Sequence, residues 1–407
     1  MARLILQQAC VNAKEVHLVC DTYPDGPSIK DQEHDNRGDS MYSCKITGPL
    51  QRRPSNFGSA LQSKEFKRQL LSFLKEEWMK PTYAPILKHH RFYFAIDKDC
   101  FLYTAAAGVV QREEIPELEC SDKEADTRLI FHANFIAENH EGQAPQLVVQ
   151  SIDTDVFILL LHHSKYIDAK LWLDVGVNSK NTRRLINISE LAVKVTQEIT
   201  DALPALHALS GCDYTASFMR KGKQKPYEVM VKNERFIKAM CTLGNTDKVD
   251  LDVAAVLEEF VCCLYGLKDV SHVNDGRLYP FKKLYAPVKQ DDLLGKLNLS
   301  DPCCLLPCRA VLEEKIKRTN YVAFVWKHSR KAEPVQFGPV GYGWRVNENN
   351  KLKIVWFEGP QMPKKLSLEA VESDEKDGPE EGERDGEEDM ILQNLSSDEE
   401  ESVDDSE

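Results

Sequence analysis

Five acidic residues in three short clusters stand out: Glu124 and Asp126 in KEADT, Asp153 and Asp155 in SIDTDV, and Asp213 in GCDYT, with Asp21 ending the apolar run VHLVCD. Carboxylates are hard oxygen ligands of the kind Mg²⁺ or Mn²⁺ takes. Several of them converging on ions about 3.5 to 4 Å apart are what two-metal phosphodiester hydrolysis requires. Taken singly, each reads better as a helix cap or a turn residue. Together, three of the sites fall at or near strand ends, where ligands bind in open α/β sheets.

The elements that must position these groups follow from periodicity. Residues 3–13 read as a helix and Val16–Asp21 as a buried strand. Phe66, Leu70, Leu71, Phe73, Leu74 and Trp78 form one apolar helical stripe over Lys64–Met79, which Pro81 stops. FYFAID and FLYTAA read as strands, and Asp122–Asn139 as a helix with Ser121 and Glu124 as its capping box. QLVVQS and KLWLDVG are further strands; if the first continues through SIDTDV, alternation puts Asp153 and Asp155 on one face. Helices are expected over 189–200, 202–209, 226–236, 252–267 and 305–318. Strands alternating with helices predict a largely parallel sheet.

Composition bounds the rest. The chain has 407 residues, enough for one large or two smaller units, with 42% apolar and 29% charged residues. Residues 373–407 carry 17 Asp and Glu against Lys376 and Arg384, so the net charge of −13 resides in the tail and residues 1–372 are close to neutral. That tail, with Ser396, Ser397, Ser402 and Ser406 among its acids, is expected to be disordered, to dock a protein partner or to shield a basic patch. The 12 scattered cysteines point to reduced thiols in a nuclear or cytosolic protein, the nucleus being favoured. Cys303, Cys304 and Cys308 lack the spacing of a zinc site. The apolar run of MARLILQQACVNAKEV is too short for a secretory signal, and none reaches the roughly 18 residues of a membrane span.

The order of the acidic clusters, EAD in a helix, DTD after a short apolar strand and GCDYT after a helix, is similar to the motif series of the flap-endonuclease and XPG-type 5′ nucleases within the PIN-like superfamily. The resemblance implies a PIN-like three-layer α/β domain over 1–245, with a mainly parallel sheet flanked by helices. It implies metal ligation by Asp21, Glu124, Asp126, Asp153, Asp155 and Asp213, with two Mg²⁺ or Mn²⁺ ions. Lys30, Glu33 and Arg37 match that family's basic loop, which implies Lys30 and Arg37 facing a scissile phosphate. The segment TASFMRKGKQKPYEVM resembles its phosphate-gripping turn, implying nucleic-acid contacts from Arg220, Lys221, Gly222, Lys223 and Lys225, although Arg220 stands where the family has its first glycine. The family's first strand, with its aspartate, has no counterpart before Val16, so the chain is expected to be truncated or to have lost a ligand. The implied activity is structure-specific cleavage of DNA or RNA; the alternative is an inactive scaffold for nucleic acid or protein.

The whole chain also resembles a group of animal proteins associated with mobile-element expansions, through its SIK loop, LPALHALSGCDYT, and NYVAFVWKH with PVGYGW and VWFEGPQMP. This predicts a helical and aromatic extension over 246–366 followed by the acidic tail at 367–407.

Overall fold

The protein is described from a computed structural model, which covers residues 1–10, 13–23, 26–30, 45–176, 182–284, 305–335 and 337–357. Glu33, Arg37, Cys303, Cys304 and the acidic tail lie outside the described residues. Within them the protein is mixed α/β.

The N-terminal half holds helix α1 (Ala2–Ala9), strand β1 (Glu15–Val19), helix α2 (Lys64–Glu77), strands β2 (Arg91–Ile96), β3 (Asp99–Ala106) and β4 (Val109–Glu114), and helix α3 (Ala125–Glu138). The strands form one sheet in the order β1-β2-β3-β4. Alternation along β2 sends Phe92, Phe94 and Ile96 to one face, against Leu6 of α1 and Phe66, Leu70 and Leu74 of α2. It sends Tyr93 and Ala95 to the other face, where Phe131 and Phe135 of α3 cover them. Three layers result. Ser63 starts α2 by accepting from Phe66 N at 3.3 Å, and fully buried Trp78 ends it, donating its indole N–H to Ala2 O at 3.2 Å.

The sheet is mixed rather than mainly parallel. Only β1 pairs β2 in parallel; β3 runs antiparallel to both β2 and β4. Two-residue connections are the cause, because a parallel crossover takes a dozen or more residues. Asp97 and Lys98 join β2 to β3, and Ala107 and Gly108, with φ of 50° and 78°, join β3 to β4 in the left-handed geometry such hairpins favour. Strand β4, too polar to show an apolar run, escaped the sequence reading.

The second half contains β5 (Gln146–Gln150), α4 (Thr154–His163), β6 (Lys170–Val175), β7 (Arg184–Asn187), α5 (Ile188–Val195), α6 (Gln197–Ser210), α7 (Gln224–Val231), α8 (Glu234–Thr242), α9 (Leu251–Leu264), α10 (Val273–Leu284), α11 (Arg309–Lys327), β8 (Trp344–Val346) and β9 (Leu352–Ile354). Strand β6 sits centrally in a second sheet, parallel to β5 and antiparallel to β7, while β8 and β9 form a hairpin. Helix α6 runs through the middle of this half, buried from Ala202 to Ser210. One apolar cluster joins α4, α6, α9 and α11, and it takes Ile130 and Ala133 from the side of α3 that faces away from the first sheet.

Several boundaries shift. The helix read over 189–200 is two, broken at Thr196 with φ of 72°, and the one over 226–236 divides at Asn233. The strand through SIDTDV stops at Gln150, and Asp153 instead caps α4. Among the described residues, no helix is long and apolar enough to cross a membrane.

Trp78 meets Phe92, Phe94 and Tyr103 edge to face, with centroids 5.0 to 6.1 Å apart, and fastens α1 besides. Trp78→Ala is expected to cost about 3–5 kcal/mol. Urea unfolding followed by circular dichroism checks this, and a loss below about 1 kcal/mol would show that the layer does not depend on the ring.

Candidate metal centre

Four separate segments carry the acidic residues. Strand β1 leads to Asp21, and Thr22 N bonds Lys123 O at 2.8 Å, which ties the strand's exit to the start of α3. Asp21 then takes the place assigned by sequence to a capping box. Its Oδ1 accepts from Ala125 N at 2.9 Å, so α3 begins at Ala125, three residues later than a Ser121 cap implies. Glu124 makes no capping bond; Asp122 Oδ1 accepts from its amide at 3.3 Å.

The same device recurs at α4. Asp153 Oδ1 accepts from Asp155 N at 2.9 Å, and Asp155 Oδ1 meets His207 Nε2 of α6 at 2.8 Å. Asp155 and His207 are both buried, and Trp326 packs on the imidazole at 5.8 Å between centroids. Along the sequence His207 is one more residue of an apolar helix. No local signal marks its pairing with Asp155, which is 52 residues away.

Asp213 stands in the tight turn after α6. Gly211 there has φ of 118°, and a Cβ on it would come within 2.5 Å of Ser217 Cα. Cys212 and Thr215 exchange backbone bonds at 3.0 and 3.1 Å, and the Thr215 hydroxyl donates to Ala208 O. Below the turn, the fully buried Lys315 of α11 donates to Ala216 O; burial pushes its ammonium down to about 7.

Lys30 draws these pieces together. Its ammonium lies 2.6 Å from Glu124 Oε2 and 3.4 Å from Asp213 Oδ2, over the Tyr214 ring at 5.2 Å. Burial works against its charge, but Glu124, Asp213 and Asp126 outweigh that and hold it well above the usual lysine range. The acids respond unequally. Burial pushes Glu124 up to about 7, against the pull of Lys30 and with Asp21 crowding it. Asp126 is pushed up to about 8 by burial first, then by the charges of Asp153, Asp155 and Asp21. Asp126 is thus the point on which the others press.

The basic residues of the 220–225 turn separate into two kinds. Lys223 donates to His207 O, Ser210 Oγ and Gly211 O, capping the C-terminus of α6. Lys221 is buried with its ammonium 4.9 Å from the Tyr265 ring centre. Neither ammonium faces outward as a phosphate contact would, because both satisfy groups of the fold. Arg220 is exposed and has φ of 55°, a left-handed backbone that glycine adopts more readily, while Gly222 has φ of 51°.

As donors, these side chains suit Mg²⁺ or Mn²⁺: all are carboxylate oxygens, and Asp126 is raised by burial first and by its acidic neighbours second. Asp21 and Asp153 each commit one oxygen to a helix amide, and Asp155 one to His207. As arranged, no three His, Cys, Asp or Glu side chains among the described residues form a group that could hold an ion. Comparison with protein-family models, curated proteins and solved structures finds no match to the chain.

The raised acids make stability depend on pH. A carboxyl whose folded value lies above its unfolded one stabilises the protein below the unfolded value and loses that contribution as pH rises through the folded value. For Asp126 the window runs from 3.8 to about 8. With divalent ions chelated, the melting temperature is expected to fall between pH 5 and pH 8, and Asp126→Asn to remove roughly half of the slope. An unchanged slope in that variant would show that Asp126 does not carry the strain.

Proposed function

We propose that the chain is a divalent-metal-dependent, nuclease-like protein of PIN-like, flap-endonuclease type that acts on phosphodiester bonds of DNA or RNA. The observation that carries the proposal is the meeting of the acidic segments at the start of α3: Asp21 accepts from Ala125 N, between Glu124 and Asp126, and Lys30 bridges Glu124 and Asp213 at 2.6 and 3.4 Å. Asp153 and Asp155 lie near enough to add to the effect of burial in raising Asp126. Acidic groups that repel one another inside a fold call for a cation.

Asp21, Glu124, Asp126, Asp153, Asp155 and Asp213 would hold Mg²⁺ or Mn²⁺. A bound ion supplies Lewis-acid stabilisation of the charge that develops on phosphoryl oxygens. The chain's own residues do the rest. His207 fixes one oxygen of Asp155 and so orients the other. Lys30 supplies a fixed positive charge between Glu124 and Asp213, where a phosphate would meet it.

One observation favours a second reading. The Lys30 ammonium already bridges Glu124 and Asp213, as a built-in counter-ion would in a protein that keeps the fold as a binding scaffold without cleavage.

Two measurements separate these. With Mg²⁺ or Mn²⁺ the purified protein should cut a flap or hairpin substrate, and Asp153→Ala should lower the rate by at least about 100-fold; full activity in that variant would sink the assignment. Manganese titration by calorimetry should show binding that Asp126→Asn weakens and Lys30→Met strengthens by about ten-fold, as one competing cation is removed. Absence of binding in the wild type and in Lys30→Met alike favours the scaffold.

A further inference from the structure

Next to the carboxylates lies a cavity of about 200 Å³ that has Glu124 in its wall. Tyr214 comes to it from the turn after α6, Tyr321 and Trp326 from α11, and Phe337 from the segment beyond α11, with Asp122 on its acidic side. Tyr214 and Trp326 meet edge to face at 6.1 Å, and Tyr321 and Phe337 do so at 5.7 Å. The segment beyond α11 is fastened to the start of α3, where Ser121 N donates to Ala332 O at 3.1 Å. Aromatic walls and acidic residues thus belong to one assembly.

Asp122 is the informative member. The Glu124 amide donates to one oxygen and the Thr127 side chain and Lys123 amide lie close enough to favour its charge, whereas Oδ2 is buried with no hydrogen bond of good geometry among the described residues. A buried carboxylate oxygen in that state is costly, and an entering N–H group would complete it. The volume is below the roughly 300–1,000 Å³ of drug-sized sites, which suits one planar ring system. Aromatic side chains accept the π-face of any base, so discrimination has to come from a polar group. Asp122 is that group. The carboxylate attracts an amino group, while uracil or thymine offers it a single N3–H flanked by two carbonyl oxygens that it repels.

We propose that this cavity holds a single unpaired nucleobase bearing an exocyclic amino group, turned out of a strand whose sugar and phosphate pass Glu124. The path of the strand rests on the nuclease-like reading. The base contact itself needs neither metal nor cleavage.

Calorimetric titration of the full chain with metal chelated, using adenosine, cytidine and uridine in turn, tests this. Adenosine or cytidine is expected to bind about ten-fold more tightly than uridine. Asp122→Asn, which keeps the bond to the Glu124 amide, should bring the three nucleosides to near-equal affinity. Val335→Trp fills the cavity from its outer wall and should abolish nucleoside binding, yet leave manganese titration of the carboxylates unchanged. Undiminished nucleoside binding by Val335→Trp, no binding of any nucleoside by the wild type at millimolar concentration, or binding of choline in place of nucleosides overturns the proposal. Nucleoside binding in a protein that takes up no manganese keeps the base pocket and removes the nuclease reading, so the two fail separately.

Discussion

Carboxylates that repel one another must be held together, and here helix amides and the Lys30 ammonium do it. Asp21 occupies the first amide of α3, and Asp153 the second of α4. Both helix N-termini carry the positive end of a dipole, so each cap offsets part of the repulsion it brings. The fold and the candidate site therefore depend on the same bonds. A residue exchanged at either cap loosens a helix and moves a carboxylate at once, which limits how far the cluster can change while the layers stay packed.

The C-terminal half acts as the floor of this arrangement. Trp326 of α11 lies against His207, which holds Asp155, and its carbonyl meets His163 Nε2 at 2.8 Å. Lys315, also of α11, holds the Asp213 turn from below. Asn320 accepts from Gly244 N at 2.8 Å and so ties α11 to the end of α8. Buried polar groups of this kind are costly unless paired, and their pairing makes one register of α11 far better than its neighbours. The acidic turn inherits that precision.

Much of this was legible where a pattern is local. The apolar stripe of α2, the run of β2 and the helix after EAD follow from periods of 3.6 and 2.0. Asp21, Asp153 and Asp213 stood out at element ends because acids there are conspicuous beside apolar runs. Partners distant in sequence were not legible. His207 reads as one more residue of a buried helix until α4 is laid beside it. Lys223 reads as basic surface until its ammonium is seen closing α6. The antiparallel course of β3 and β4 was hidden for a different reason: Asp97–Lys98 and Ala107–Gly108 are short enough to be hairpins, but they were passed over in favour of the alternation of longer elements.

In the 220–225 turn, basic residues that look alike in sequence do different work in the fold. A side chain at φ of 55° costs roughly 1–2 kcal/mol relative to glycine, yet Arg220 adopts that conformation beside Gly222. Lys221 and Lys223 anchor the turn to the Tyr265 ring and to the end of α6, and that anchoring holds the strained residue in place. Arg220 is exposed and Lys225 half-buried. A run that looks like four equal basic side chains thus contains two whose ammonium groups are taken up by the fold itself.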